Sequence, residues 1–540
     1  MKTLLKLSIV PAIVTAIAGY GWWYLTVPAI NIFDYGFILL LFIIAFVFIC
    51  SLSLAYALVE EEDAAKNIFG WSIAGLISAM VVLFLILPVF GSPLMRAKSY
   101  SNIVSVKTKD FKKDFPESKV DQLALLSKTS AKNIGNSYLG TIDKVSQFNV
   151  SDEYRQITIN KQPYRISPLE YASLTRWYNN RKDGIHYYVK VNQTTGKAEL
   201  VHLKKGMRYT ASSYFGDDVM RKLRRDYMTT LFSDPSFEVD DEGNPWYVAT
   251  TYTRKFGFGG PLDPNGVILL DPISGNSKVY KLKDVPSWVD RVYGAHDTIK
   301  RINWHYKYAD GFWNTVFSKT NIKKTTVDDS DEEDAEDTTY ISIGDDIYLY
   351  TGLTSINSDS SNLGFVLTNL RTRETVFYAL PSATESRARK SAEGAVQEKK
   401  YDANSPILVK INGQSYYLSS LEDSGNLVKA YALVNAEDFQ QVFVSSNIND
   451  LVAQVSGNKS NSESETGGKS DKSAKMSGQI SDIKTQVVDG TTIYYIKVND
   501  SIYKIKADAD TLDQLPFIAV GQTITANLKD NNYLANIDLQ

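Results

Sequence analysis

The residues of this chain that could do chemistry are few. The four histidines, His186, His202, His296 and His305, form no His-Glu-x-x-His pair, the spacing that sets two ligands and a base on one helix face. The single cysteine, Cys50, lies inside an apolar run and cannot complete a metal site with them. A two-histidine site is the most they offer, and packing or surface roles are the simpler reading. Gly468-Lys469-Ser470 matches the end of a phosphate-binding loop, but Glu463 stands where the first glycine is needed and no strand precedes it. Ser456, Ser481 and Ser501 are each followed by a lysine, Lys459, Lys484 and Lys504, at the spacing of a serine–lysine acylase. They lie in a polar linker or on short strands without partner motifs. No Gly-x-Ser-x-Gly elbow occurs, so the sequence predicts no catalytic residue, no cofactor and no metal, and hence no enzyme.

Three segments carry other chemistry. Asp328–Asp337 is an acidic block without the internal glycine that a calcium loop needs for its sharp turn, and reads as a solvated loop. Phe256-Gly-Phe258-Gly-Gly260 and the residues to Gly266 are glycine-rich, but they lead into a strand, whereas a phosphate cradle opens a helix. Arg221-Lys222-Leu-Arg224-Arg225 is a basic run on a predicted helix. Phe256, Phe258, Arg221 and Arg224 are therefore the candidate partner contacts.

The elements that must position these residues form a repeat. Its first part is a hairpin with an aromatic after the turn: Ile157–Tyr164, Phe237–Tyr247, Ile341–Tyr348 and Ile407–Tyr417. Its second part is a hairpin opening on Asn or Asp: Tyr188–Val201, Val267–Tyr280, Phe365–Phe377 and Ala432–Phe443. Asn192, Asp271, Asn369 and Asn435 cap the turn through their side chains, and a glycine four residues on supplies a positive φ. Gly196 and Gly275 fit, whereas Arg373 and Phe439 do not, so the later turns are degenerate or wider. Amphipathic helices are predicted ahead of each hairpin pair at Val120–Ile134, Asp217–Phe232, Ser287–Ile302 and Glu385–Lys399, with room for an inserted helix around Pro168–Arg181. One helix and four antiparallel strands make four separate α+β units, at about 119–203, 216–282, 287–380 and 385–455.

Three apolar runs precede the repeats, Leu7–Val27, Phe37–Val59 and Ile68–Phe90, each near the ~20 residues that cross a bilayer as a helix. Residues 1–94 thus read as a three-helix membrane anchor and 95–118 as a polar stalk. Lys2 and Lys6 flank the first run, which favours a cytoplasmic N-terminus and places residues after about 94 outside; Arg96 and Lys98 pull the other way. A formal net charge of −3 asks for no nucleic acid. Residues 456–477 read as a Ser/Gly/Lys/Asn linker. Residues 478–540 hold five short strands and read as an OB-like β-barrel whose Tyr494, Tyr495, Tyr503 and Tyr533 belong to its core or rim.

The helix–hairpin–hairpin unit, its aromatic after the first turn and Asn/Asp-x-x-Thr/Ser-Gly in the second resemble PepSY-type modules over roughly 119–455. Ser391–Lys399, the Ile407–Leu421 hairpin and Leu427–Asn435 look like uncharacterised membrane-anchored proteins of Firmicutes (Gram-positive bacteria) and their phages. The resemblance implies N-terminal spans, PepSY-like repeats and a small C-terminal OB-like barrel, and brings no catalytic residue. It implies a cell-surface scaffold or binding protein whose repeats contact a protein or cell-wall partner. The alternative is a regulator that holds an envelope hydrolase or membrane complex inactive; an enzyme of unrecognised type comes third.

Overall fold

The computed structural model describes residues 8–58, 62–119, 122–138, 145–327, 340–356, 361–456, 475–488, 491–498, 501–506, 518–529 and 533–539. The acidic block, the segment 457–474 with Gly468–Ser470, and residues 511–517 lie outside the described residues. The chain divides into two compact units, residues 1–460 and 461–540.

Three helices near the N-terminus are long and apolar enough to cross a membrane. Ile9–Thr26 and Tyr35–Ala57 are the first two, and Asp34 caps the second by accepting the Gly36 and Phe37 N–H groups. The third runs through Glu62–Val81, a π-helical turn at Val82–Ile86 and Leu87–Gly91. Pro88 brings no N–H to the helix ladder, and the widened turn lies immediately before it.

The segment after the third helix is folded, which corrects the expected stalk at 95–118. Pro93–Ser101 is helical and buries Tyr100. Strand β1 (Val106–Lys109) pairs in parallel with a strand of the third repeat, Val106 opposite Thr375. Phe111 and Phe115 stack at 4.9 Å and meet Phe365 edge-on, deep in the core of the third and fourth repeats. The lysines between them stay outside, which is why the stretch reads as polar.

Each repeat is a five-stranded antiparallel sheet of one topology. The first holds β2 (Phe148–Val150), β3 (Arg155–Ile159), β4 (Gln162–Tyr171), β5 (Ile185–Asn192) and β6 (Ala198–Met207). The second holds β7 (Leu231–Phe232), β8 (Ser236–Val239), β9 (Pro245–Arg254), β10 (Leu262–Leu270) and β11 (Ser277–Lys281). The third holds β12 (Lys323–Thr325), β13 (Tyr340–Ile343), β14 (Asp346–Ser355), β16 (Gly364–Asn369) and β17 (Thr375–Tyr378), with β1 extending the sheet beyond β17; the short β15 (Ser361–Asn362) pairs with β18 (Ser382–Ala383) in a separate two-stranded sheet. The fourth holds β19 (Asp402–Ala403), β20 (Ile407–Ile411), β21 (Gln414–Glu422), β22 (Val428–Asn435) and β23 (Val442–Ser445). In every copy one long strand, β4, β9, β14 or β21, takes the preceding hairpin strand at one end and a short strand at the other, and the second hairpin continues on its far edge.

The registers coincide as well. The aromatic after the first turn sits opposite an apolar residue in all four: Ile157 and Tyr164, Phe237 and Tyr247, Ile341 and Tyr348, Val409 and Tyr416. The second turns use the same cap, with Asn192, Asp271, Asn369 and Asn435 each accepting a backbone N–H two residues on. Arg373 adopts the glycine conformation with φ 63°, so the third turn keeps its shape. The fourth is wider: Asn435 N–H reaches Gln441 O, one residue further than Asn192 to Lys197.

The helices are shorter than expected and shifted: Lys128–Ser137, Val219–Asp226, Ala295–Lys307 and Glu385–Gly394, with a fifth at Leu174–Asn180. Residues 227–232 leave the second helix and end as β7, paired with Tyr252 and Thr251. The repeats are also not separate units. The first and second share one core, the second and third another, the third and fourth a third. Leu123 and Leu125 then enter the core of the fourth repeat, and Ser130 Oγ–H donates to Asn426 O at 2.6 Å, which closes the cycle from the fourth repeat to the first.

The C-terminal unit hydrogen-bonds β24 (Lys475–Val488), β25 (Thr491–Val498), β26 (Ser501–Lys506), β28 (Tyr533–Leu539) and β27 (Thr523–Lys529) in that order, with β27 returning to β24. β26 and β28 meet at one parallel pair, Lys504 and Tyr533. Ile480, Ile496, Val498, Ile505 and Ile524 fill the interior, and Tyr494 and Tyr503 pack against them.

Candidate functional site

The four candidate contact residues all meet the chain's own N-terminal segment, on its apolar helices, the loop between the first two or the helix after the third. Arg224 is buried, and its Nε–H donates to Val27 O at 3.1 Å while Nη1 donates to Thr230 O at 2.7 Å. Burial pulls its pKa down to about 10, against the opposing pull of Asp34. The Arg221 guanidinium lies 4.3 Å from the Tyr24 ring centroid, a cation–π contact. Phe258 packs on Phe33 and Phe256 on Tyr100, with centroids 5.4 and 5.5 Å apart.

These contacts belong to a two-sided clasp. On one side the loop between the first two apolar helices is bound to the second repeat. Ile30 N–H donates to Met228 O at 2.7 Å, Asn31 Nδ2 to Thr229 O at 2.9 Å, and Arg254 Nη2 to Phe33 O at 2.9 Å beneath the Tyr35 ring. On the other side the glycine loop meets the end of the third helix backbone to backbone. A Cβ on Gly91 would lie 2.2 Å from Phe258 O, and one on Gly259 would lie 2.4 Å from Pro88 O. The glycines of this loop serve close approach to a helix end. Nothing local in the sequence marks that, since the partner segments are some hundred to two hundred positions away.

A second concentration of polar groups lies where the repeats converge. Glu238 on β8 and Asp290, entering the third repeat, are buried, and the half-buried Arg155 on β3 and Arg291 close on them. Arg155 Nε approaches Glu238 Oε1 at 3.4 Å without hydrogen-bond alignment, and Asp290 Oδ2 accepts the Thr158 N–H at 2.5 Å. Arg291 lies over the Tyr340 ring at 4.1 Å. Burial raises the pKa of Glu238, with Arg155 and Arg291 opposing; burial and then the nearby Glu238 raise that of Asp290 well above the carboxylate range. Both Glu238 oxygens and Asp290 Oδ1 lack a hydrogen-bond partner. Sequence reasoning missed this cluster, because Glu238, Asp290 and Arg291 sit in segments that read as ordinary strand and loop.

Beside the cluster opens a polar cavity of about 350 Å³ between the first, third and fourth repeats. Gln156, Arg165 and Gln193 line it from the first repeat, Tyr340 from the third, and Arg389, Asp402, Asn404 and Glu422 from the fourth. Gln193 and Gln156 are almost wholly buried, yet Gln193 Oε1 and Gln156 Nε2 have no hydrogen-bond partner. Donors and acceptors of both signs suit a polar guest with hydroxyl, amide or paired charged groups. On this wall Ser127 Oγ–H donates to Glu422 Oε2 at 3.3 Å, and the Ser127 Oγ also caps the following helix by accepting the Ser130 N–H.

The histidines fall into two places. His186 and His202 stack at 5.9 Å on neighbouring strands, with His186 bound to Leu203 O and Asp183 Oδ1. His296 and His305 lie on one helix, and His305 Nδ1 is 2.7 Å from Ser101 O. Among the described residues no group of three or more His, Cys, Asp and Glu could hold a metal ion. Ser481 and Ser501 lie on strands of the C-terminal unit, where Ser481 Oγ–H donates to Lys497 O. No protein-family model and no curated protein sequence matches the chain.

Proposed function

We propose that the chain is a membrane-anchored scaffold on the outer face of a cell, a cycle of PepSY-like repeats that binds a protein or envelope partner. The clasp is the observation that carries this reading. The second repeat grips both the loop after the first apolar helix and the end of the third. With three spans those two places emerge on the same face of a bilayer, so one grip on both is consistent with an odd number of crossings. Such a grip holds a binding surface at a set attitude to the membrane. The common five-stranded topology supports the PepSY-like reading, and the strand order of the C-terminal unit supports the OB-like one.

Because Arg221, Arg224, Phe256 and Phe258 are engaged within the chain, the partner meets the array elsewhere, and the polar cavity with the unpartnered Gln156 Nε2 and Gln193 Oε1 is the place for it. The test is a photo-crosslinking amino acid at Asn404 in intact cells, with one at Arg221 as reference. The reading expects a specific adduct from position 404 and only self-crosslinks from 221. Absence of any adduct from 404 and from the cavity rim at Asp402 overturns it. Cysteine labelling sets the face: Ile32→Cys and Val279→Cys should react together from outside, and Asp63→Cys only from within.

A further inference from the structure

The third repeat carries an apolar knob that the clasp does not use. The short helix Phe312–Val316 and the residue after it expose Trp313 at 61%, Val316 at 48% and Phe317 at 75%. These are large aromatic and branched side chains on one turn, an arrangement that water disfavours. The knob is well held. Asn314 Nδ2 donates to Thr320 O at 2.9 Å, Asn314 Oδ1 accepts Thr320 N–H, and Lys319 N–H donates to Asn314 O at 2.7 Å.

An aromatic series joins it to the end of the third apolar helix. Tyr100, on the Pro93–Ser101 helix, packs edge-on against Tyr308 at 6.2 Å; Tyr308 stacks on Phe312 at 6.5 Å, Phe312 meets Trp313, and Trp313 stacks on Phe317 at 5.7 Å. The same Pro93–Ser101 helix exposes Leu94 and Met95, and Arg96, Lys98 and Lys319 are exposed along the series. An apolar tip beside a helix that leaves hydrocarbon, with cations around it, has the composition of an interfacial anchor. A ring in the headgroup layer buries its apolar body and keeps the Trp N–H wet.

We propose that Trp313, Val316 and Phe317 insert into the headgroup region of the bilayer that holds the apolar helices, as a fourth membrane contact supplied by the third repeat. This rests on the membrane-anchor reading, and the experiment separates the two. The full-length protein, with Cys50→Ser, is reconstituted in phosphatidylcholine–phosphatidylglycerol vesicles with one polarity-sensitive probe at Trp313→Cys, Phe317→Cys, Ile77→Cys or Val279→Cys. Quenching by shallow and deep nitroxide lipids is compared with quenching by aqueous iodide. The proposal expects probes 313 and 317 to be quenched several-fold more by the shallow nitroxide than probe 279, and probe 77 by the deep one. Probes 313 and 317 that answer only to iodide, or that are shielded from both quenchers while probe 77 is reached by lipid, overturn the knob and leave the anchor standing. A probe at 77 that lipid does not reach removes the anchor and the knob together.

Discussion

Arg224 donates to the carbonyl oxygen of Val27, and Val27 ends the first apolar helix in the left-handed backbone region, at φ 49° and ψ 43°. A β-branched residue costs about 1–2 kcal/mol there relative to glycine, so the clasp holds a strained turn in place. Val27→Gly should therefore raise the stability of the detergent-solubilised protein by about 1 kcal/mol. Arg224→Met removes the donor from Val27 O and Thr230 O and should lower it by about 2–3 kcal/mol. Thermal unfolding of both variants checks the pair, and a destabilised Val27→Gly would mean that the turn is not strained.

The tightest backbone approach in the clasp is at Gly91. Gly91→Ala drives a methyl against Phe258 O and Gly260 N, which are backbone atoms and cannot swing aside. The expected cost is roughly 1–3 kcal/mol, with faster proteolysis within 256–266. Gly75→Ala, where nothing lies within 4 Å, should leave both readouts unchanged.

Arg373 stands where the turn favours glycine because its side chain serves another repeat. Its Nη1 donates to Asp263 Oδ1 at 2.8 Å, and the same carboxylate accepts Arg301 Nη1 at 3.1 Å and faces Lys255 Nζ at 3.4 Å. Asp263→Asn should destabilise the repeats by about 3 kcal/mol, since it weakens the pairing of buried Arg301. Arg373→Gly should relieve the turn yet lose that contact. A double-mutant cycle over Arg373 and Asp263 should return a coupling of about 1–3 kcal/mol; additive effects would refute the link.

The buried carboxyl of Asp290 sets a pH dependence. Its folded pKa is raised, by burial first and then by Glu238, so the folded state holds the proton more tightly than the unfolded chain. The stabilisation from protonation is fully present below the unfolded carboxylate range and is lost as pH rises through the folded value. Asp290→Asn keeps an acceptor for the Thr158 N–H and abolishes the charge. Chemical denaturation from pH 4 upward should show the wild type losing stability as pH rises, and the variant more stable by about 1 kcal/mol at neutral pH. A variant weaker at neutral pH would show that the carboxylate is ionised and paired.

Turn chemistry and strand alternation were legible because both are local. Asn192, Asp271, Asn369 and Asn435 each announce a hairpin, and the tyrosines at 164, 247, 348 and 416 mark its register. All five C-terminal strands were legible for the same reason. Helix ends were less so. Thr229 and Thr230 follow Tyr227 out of the second helix, and the Leu231–Phe232 edge strand owes its place to β9. The segment 106–118 reads as polar because Phe111 and Phe115, four apart among lysines, are its only apolar residues that reach a core, and that core is supplied by distant strands. The cavity and the Asp290 cluster depend wholly on which repeats meet. Arg221, Arg224, Phe256 and Phe258 are expected from sequence to meet a partner, whereas they touch the chain's own N-terminal segment; their chemistry does not say where a contact lies.

The parallel pairing of β1 with β17 has a consequence for how the molecule is made. Residues 106–109 are synthesised well before residues 375–378, and at a ribosomal pace of ~5–20 residues per second the gap is on the order of tens of seconds. Throughout that interval β1 and the pair Phe111 and Phe115 stand without their strand partner and core. The nascent chain must carry this sticky segment past two complete repeats before a third arrives to receive it.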